Sequence, residues 1–242
     1  MAGFVVLQLL RQGLDGETAD AEPTTTSTTV EPATTVPAPA GIQIPASTKI
    51  ATPNGEVPTY DRPNGTEVGT AGKWYGYPMT MPVVDETWGW VQVRMPERPN
   101  GSTAWVRLKD VAMSTNEYFI VVDRSDTHVT VYKDGVEAFT MPAGLGKAST
   151  PTPLGSFFVA VIENPGPSGY GPIVLDLSAH SEAIQSWQGA GDAIIALHGS
   201  FGADAKIGTT GTYVSNGCIR LHRDDQLKLA EVPLGTPVSI VD

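Results

Sequence analysis

Apolar and polar positions alternate with a period of two along most of the second half of the chain. Tyr118–Asp123 and His128–Lys133 are two such runs, and Asp134-Gly135 turns the second into a third, Glu137–Met141. An Asp-Gly pair between alternating segments is a strong hairpin signal, because both residues tolerate the positive φ that a tight turn demands. Gly155–Ile162 and Ala193–Leu197 read as further strands. Helical spacing is confined to about Ser181–Gln188 and Asp224–Glu231, with Asp224 as the expected cap of the latter and Pro233 beyond its end.

The stretch 47–113 also reads as strand. Trp88–Val93 and Thr103–Leu108 alternate aromatic or β-branched residues with others, and Asn54-Gly55, Asn64-Gly65 and Asn100-Gly101 supply turns between the runs. This region resembles a bacterial SH3-like module, whose aromatics would serve mainly as core. Residues 1–46 read differently. The apolar run at 4–10 is too short to cross a bilayer, which takes about 20 residues, and it looks like the tail of an export signal or anchor, or a short amphipathic start. Residues 23–40 hold seven Thr and four Pro, a composition that packs no core and favours an extended, disordered tether. The expected class is mainly β with few short helices: tether 1–46, small barrel 47–113, and a sandwich or barrel-like domain 117–242.

Composition narrows the chemistry. The chain carries 26 acidic against 15 basic residues, a net charge of −11. That argues against a nucleic-acid partner, which would want a basic face. No nucleotide-binding glycine pattern occurs. His198, Cys218 and His222 match no zinc spacing, so neither metal nor cofactor is expected. A single cysteine rules out an internal disulfide and leaves a buried small hydrophobe or a reactive thiol.

The surroundings of Cys218 decide between those two. A strand rich in Ala, Ile and Leu delivers His198, followed by Gly199; further on stands Ser215-Asn216-Gly217-Cys218-Ile219-Arg220-Leu221. Glycine before the cysteine permits a sharp turn that exposes the sulfur and aims backbone amides at it, as an acyl-transfer oxyanion needs. A free thiol is mostly protonated at neutral pH, and an imidazole within reach can take its proton. Arg220, two residues on, shares the strand face of Cys218 and could hold a substrate carboxylate or a surface partner.

The run 215–221, with His198-Gly199 upstream, resembles the signature of the YkuD-type L,D-transpeptidases. Gly146-Lys147 with Thr150-Pro151-Thr152-Pro153-Leu154-Gly155-Ser156-Phe157, Ser168-Gly169-Tyr170-Gly171-Pro172 with Leu175-Asp176-Leu177-Ser178, and Leu234-Gly235-Thr236-Pro237-Val238 resemble further stretches of that family, in order. The resemblance implies a cysteine nucleophile, Cys218, and a general base, His198, oriented through the Gly199 carbonyl. It implies oxyanion donors at the Gly217 and Cys218 amides, with Ser215 bracing the turn and Tyr170 lining the donor groove. The implied partners are peptidoglycan stem peptides, donor and acceptor. The implied reaction is a 3→3 cross-link made with release of D-alanine, in the cell envelope outside the membrane, through a tethered chain. Hydrolysis of the same acyl-enzyme and a non-catalytic wall-binding role are the alternatives. Many members carry His where this chain has Asn216, which can position substrate but cannot move a proton. His180 and His222 lie outside the pattern, and His180 reads as a surface or groove residue.

Overall fold

The computed structural model describes residues 41–166, 168–209 and 212–242. The expected tether at 23–40 and the apolar run at 4–10 lie outside the described residues. The chain is mainly β. Its first part holds β1 (Thr48–Pro53), β2 (Val57–Tyr60), β3 (Glu67–Ala71), β4 (Lys73–Trp74), β5 (Tyr77–Pro78), β6 (Met81–Thr87), β7 (Trp90–Arg94), β8 (Thr103–Arg107) and β9 (Val111–Asn116). Seven of these form one sheet in the order β3-β2-β8-β7-β6-β1-β9, and β4 pairs with β5 as a separate hairpin. Trp88, expected inside a strand, sits in the turn between β6 and β7 and is 97% exposed. Gly89, at φ +75°, makes that turn.

The second part holds β10 (Tyr118–Asp123), β11 (His128–Lys133), β12 (Val136–Pro142), β13 (Leu145–Gly146), β14 (Gly155–Glu163), β15 (Val174–His180), β16 (Ile194–Gly199), β17 (Tyr213–Ser215), β18 (Ile219–Leu221), α1 (Arg223–Lys228) and β19 (Pro237–Val241). Eight strands join in the order β12-β11-β10-β19-β14-β15-β16-β18. The two ends of this sheet meet: Gly144, just past β12, exchanges two backbone hydrogen bonds of 2.8 Å with Arg220 on β18. The result is a nearly closed, barrel-like sheet. The predicted hairpin is present, with Asp134 at φ +54° and Gly135 at φ +78° between Lys133 and Val136.

The period of two decides what faces where. On β15, β16 and β18 the residues Leu175, Leu177, Ile195, Leu197, Ile219 and Leu221 enter the core, together with Ile120, Val131, Phe157 and Ile240 from the other strands. Their alternate neighbours Asp176, Ala196, His198, Cys218 and Arg220 therefore face outward on the opposite side of the sheet. A second cluster links the two parts, since Phe158, Ala160 and Val161 of β14 pack with Met81, Val93 and Val106 of the first sheet.

Two helical expectations need correction. Ser181–Gln188 is a loop of bends and turns, not a helix. Arg98 takes the Ser181 and Ile184 carbonyls, at 2.9 and 3.3 Å, which a helix would need for its own amides. At α1 the cap position is His222, without a side-chain cap bond, and Asp224 falls in the first turn.

Candidate active site

A cleft of about 220 Å³ opens over the outward face of β15, β16 and β18. The sheet register lays out its floor. Asp176 pairs with Ala196 across β15 and β16, and His198 pairs with Arg220 across β16 and β18. Cys218, two residues before Arg220, falls beside Ala196. Asp176, Ala196 and Cys218 thus form one row, and the methyl of Ala196 leaves the space between the outer two open. Tyr170, Phe201 and Trp187 supply apolar walls, and Asn216 lies at the edge.

The turn that carries Cys218 is held from three sides. Ser215 Oγ donates to the Cys218 carbonyl at 2.6 Å and accepts the Gly217 amide at 3.0 Å. Thr152 Oγ1 donates to the Gly217 carbonyl at 2.8 Å while accepting the Gly146 amide. Gly217 sits at φ +127°, and a Cβ there would lie 2.8 Å from Ile195 Cδ1, so no other residue fits without strain. Ser215 braces the turn as expected. The Gly217 amide, expected to face an oxyanion, donates to Ser215 Oγ inside the turn.

His198 is 3% exposed. Its Nδ1 lies 2.8 Å from the Gly199 carbonyl. A carbonyl only accepts, so Nδ1 donates, and a neutral ring then carries its lone pair on Nε2. Gly199 is itself fixed, its amide donating to the Tyr170 carbonyl at 2.8 Å. The Tyr170 ring packs at 5.0 Å from the imidazole, and Gln226 of α1 holds the Tyr170 and Ile173 carbonyls. Burial, helped by the nearby Arg220 charge, lowers His198 to about 4 against the pull of its Gly199 bond. Burial likewise pushes the Cys218 thiol up to about 11, with Asp176 adding to the rise and the Ala196 amide and Arg220 opposing it. The half-buried thiol hydrogen-bonds the Ile194 carbonyl at 3.9 Å rather than the imidazole. Burial thus favours the neutral form of both groups, thiol and imidazole, over an ion pair.

The cleft rim is tied to the first sheet. Arg98, from the loop after β7, reaches Asp192 Oδ1 with Nε at 2.9 Å. Asn100 pairs with both the amide and the carbonyl of His180, each at 2.8 Å. Tyr75 donates to Asp192 Oδ2 at 3.1 Å. Expected at the surface or in a groove, His180 is 1% exposed between the sheets, with Nε2 2.8 Å from the Pro96 carbonyl and Nδ1 2.8 Å from Asp192 Oδ2. The Ala193 amide, His180 and Arg98 outweigh burial and hold the Asp192 carboxyl below its usual range.

The structure brings Cys218, His198, Asn216, Arg220 and Tyr170 to one cleft, with Ser215, Gly217 and Gly199 supporting from behind. His222 lies away from it, beside Asp204. Sequence reasoning missed Asp176, Thr152 and the Arg98–Asp192 link. Asp176 had a local signal, a charged residue between Leu175 and Leu177 in a strand. Arg98–Asp192 had none, because 94 positions separate the partners.

His198, on β16, and Cys218, in the turn before β18, line the same cleft of a barrel-like β domain. Residues 117–240 match the YkuD family model, an L,D-transpeptidase catalytic domain. A Bacillus licheniformis protein named as an L,D-transpeptidase, YkuD, is 35% identical over 128 residues, covering 52% of this chain and 67% of its own. The similarly named YqjB of Bacillus subtilis is 30% identical over 134 residues, covering 51% of this chain and 71% of its own. Among solved structures, an L,D-transpeptidase from Mycobacterium smegmatis is 20% identical, covering 62% of this chain and 90% of its own, with a TM-score of 0.41. The chain belongs to the YkuD family of L,D-transpeptidases.

Proposed function

We propose that this protein is a peptidoglycan L,D-transpeptidase that makes 3→3 cross-links outside the membrane, with Cys218 as nucleophile and His198 as general base. The observation that supports this most is the His198 geometry. The Gly199 carbonyl fixes the Nδ1 proton, and burial keeps the ring neutral, so Nε2 is ready to accept a proton at neutral pH.

The steps balance as follows. The Cys218 thiol loses its proton to His198 Nε2 as the S–C bond forms at the carbonyl of the third stem residue. The tetrahedral oxyanion takes the Cys218 amide. The imidazolium protonates the departing amine, the C–N bond breaks, and D-alanine leaves a thioester behind. An acceptor amine then attacks the thioester, gives its proton to His198, and the sulfur leaves and is reprotonated.

Burial raises the thiol and lowers the imidazole, so proton transfer between the resting groups is uphill and proceeds together with S–C bond formation. Arg220 and Asn216 position the substrate, and Tyr170 shields the imidazole. The test is incubation with a tetrapeptide-stem donor and an amine acceptor. D-alanine and a cross-linked dimer are expected, and both should disappear in Cys218→Ala. Free tripeptide without dimer would make the protein a carboxypeptidase on the same acyl-enzyme.

A further inference from the structure

The buried face of α1 carries a polar side chain that the steps above do not use. Gln226 is 0% exposed, while its neighbour Leu227 is 48% exposed. An apolar residue would fill this core position without taking an amide out of water. The amide is only half satisfied, since Gln226 Oε1 has no hydrogen-bond partner among the described residues. Its nitrogen is fully engaged: Nε2 donates to the Tyr170 carbonyl at 2.7 Å and to the Ile173 carbonyl. Both carbonyls only accept, so the nitrogen and not the oxygen faces them.

We propose that Gln226 is a positioning residue for the general base, acting on His198 through the backbone of Tyr170 and Gly199. This rests on the reading of His198 as that base. Three hydrogen bonds run in series. Gln226 Nε2 reaches the Tyr170 carbonyl at 2.7 Å, the Gly199 amide donates to the same carbonyl at 2.8 Å, and the Gly199 carbonyl takes His198 Nδ1 at 2.8 Å. Gly199 has no side chain to anchor it, so its orientation depends on that Tyr170 carbonyl. Two glycines make the close approach possible. A Cβ at Gly199 would lie 3.0 Å from the Tyr170 carbonyl oxygen, and a Cβ at Gly171, which sits at φ +78°, would overlap Gln226 Oε1. The Tyr170 ring, 5.0 Å from the imidazole, is carried by the same segment. One buried amide thus holds both the acceptor behind Nδ1 and the aromatic ring beside it.

Without the donor, the Tyr170 segment loses both of its ties to α1. The Gly199 carbonyl then shifts from Nδ1, and the neutral imidazole samples both tautomers. Only the tautomer protonated at Nδ1 leaves Nε2 able to take the thiol proton. A misplacement of up to ~1 Å slows an oriented step by roughly 10–100-fold. The substrate contacts assigned to Arg220 and Asn216 do not run through α1, so the loss falls on the rate and not on donor capture.

The test uses the full chain. Gln226→Met keeps the side-chain volume and removes the donor. Acylation by a tetrapeptide donor, followed by intact mass, should show a maximal rate reduced by roughly 10–100-fold, with the donor concentration at half-maximal rate little changed. Nitrogen NMR of the imidazole, assigned with His198→Gln, should show one neutral tautomer with its proton on Nδ1 in wild type and a mixture of both in Gln226→Met. Gln226→Asn, one methylene shorter, draws the amide back from both carbonyls and should behave in the same way, so it decides the matter if Gln226→Met does not fold. Val232→Ala, a core truncation just past the turn that follows α1, should lower the melting temperature while keeping the wild-type maximal rate and tautomer. A wild-type maximal rate in a folded Gln226 variant, an effect confined to the half-maximal concentration, an unchanged tautomer, or an equal rate loss in Val232→Ala would overturn the proposal. If wild type forms no acyl-enzyme at all, the transpeptidase reading fails, and the tautomer comparison alone then decides whether Gln226 positions the imidazole.

Discussion

Replacing Arg98 with Ala should weaken substrate capture without touching the thiol. The guanidinium makes three hydrogen bonds to the rim loop: Asp192 Oδ1 at 2.9 Å, the Ser181 carbonyl at 2.9 Å and the Ile184 carbonyl at 3.3 Å. Bonds from a charged donor contribute ~1.5–3 kcal/mol each when buried. The Arg98 side chain is 32% exposed, and Asp192 keeps the Ala193 amide, Tyr75 and His180 after the change. The three together should then amount to about 2 kcal/mol rather than the 3–5 kcal/mol of a fully buried broken pair. Two kcal/mol lowers the ratio of formed to open rim about 30-fold. Steady-state kinetics with a tetrapeptide donor should show a KM raised several-fold or more, with kcat changed less. Iodoacetamide should alkylate Cys218 at a rate equal to or above that of wild type, since the small reagent needs no rim. Arg98→Lys should recover part of the loss through Asp192 but not through the two carbonyls. An unchanged KM alongside a lowered melting temperature would refute the reasoning and reduce Arg98 to a structural tie.

Three further outcomes follow from the same geometry. Alkylation of Cys218 should rise about tenfold per pH unit from 7 to 10, because a thiol held at about 11 gains thiolate throughout that range; a plateau beginning below pH 7 would indicate an ion pair instead. Asp176→Asn should stabilise the protein at pH 7. The folded pKa of about 8 lies above the unfolded 3.8, so between those values the folded state holds the extra proton and wild-type stability falls as pH rises. Urea unfolding at pH 5 and pH 7 should show the gap between the two proteins widening by about 1–2 kcal/mol, allowing for water in the cleft; a constant gap would contradict the assignment. Gly217→Ala should abolish acylation, since its Cβ would meet Ile195 and its φ of +127° disfavours any side chain; retained activity would show that the turn is not required.

The strands were legible because alternation is a local signal. Tyr118–Asp123 and His128–Lys133 run between the expected residues, and the Asp134-Gly135 turn follows from the φ values those residues tolerate. The cleft residues were legible where they share a short motif, as Cys218, Arg220 and Ser215 do. The Gly217 amide was misjudged because its partner, Ser215 Oγ, is chosen by turn geometry that residue types do not specify. The expected helix at 181–188 failed for a long-range reason: Arg98, more than 80 positions away, claims the carbonyls that a helix would use. His180 was misplaced by the same interface, which buries it between the sheets.

Mass spectrometry of the intact protein during turnover of a tetrapeptide donor tests the central claim most directly. Wild type should gain the mass of the donor less D-alanine, located to Cys218 by fragmentation. His198→Gln should form the adduct 10²–10⁴-fold more slowly, the usual loss of a general base, and Cys218→Ala should form none. A Cys218→Ala protein that still releases D-alanine at the wild-type rate would contradict the account, as would a His198→Gln protein acylated as fast as wild type.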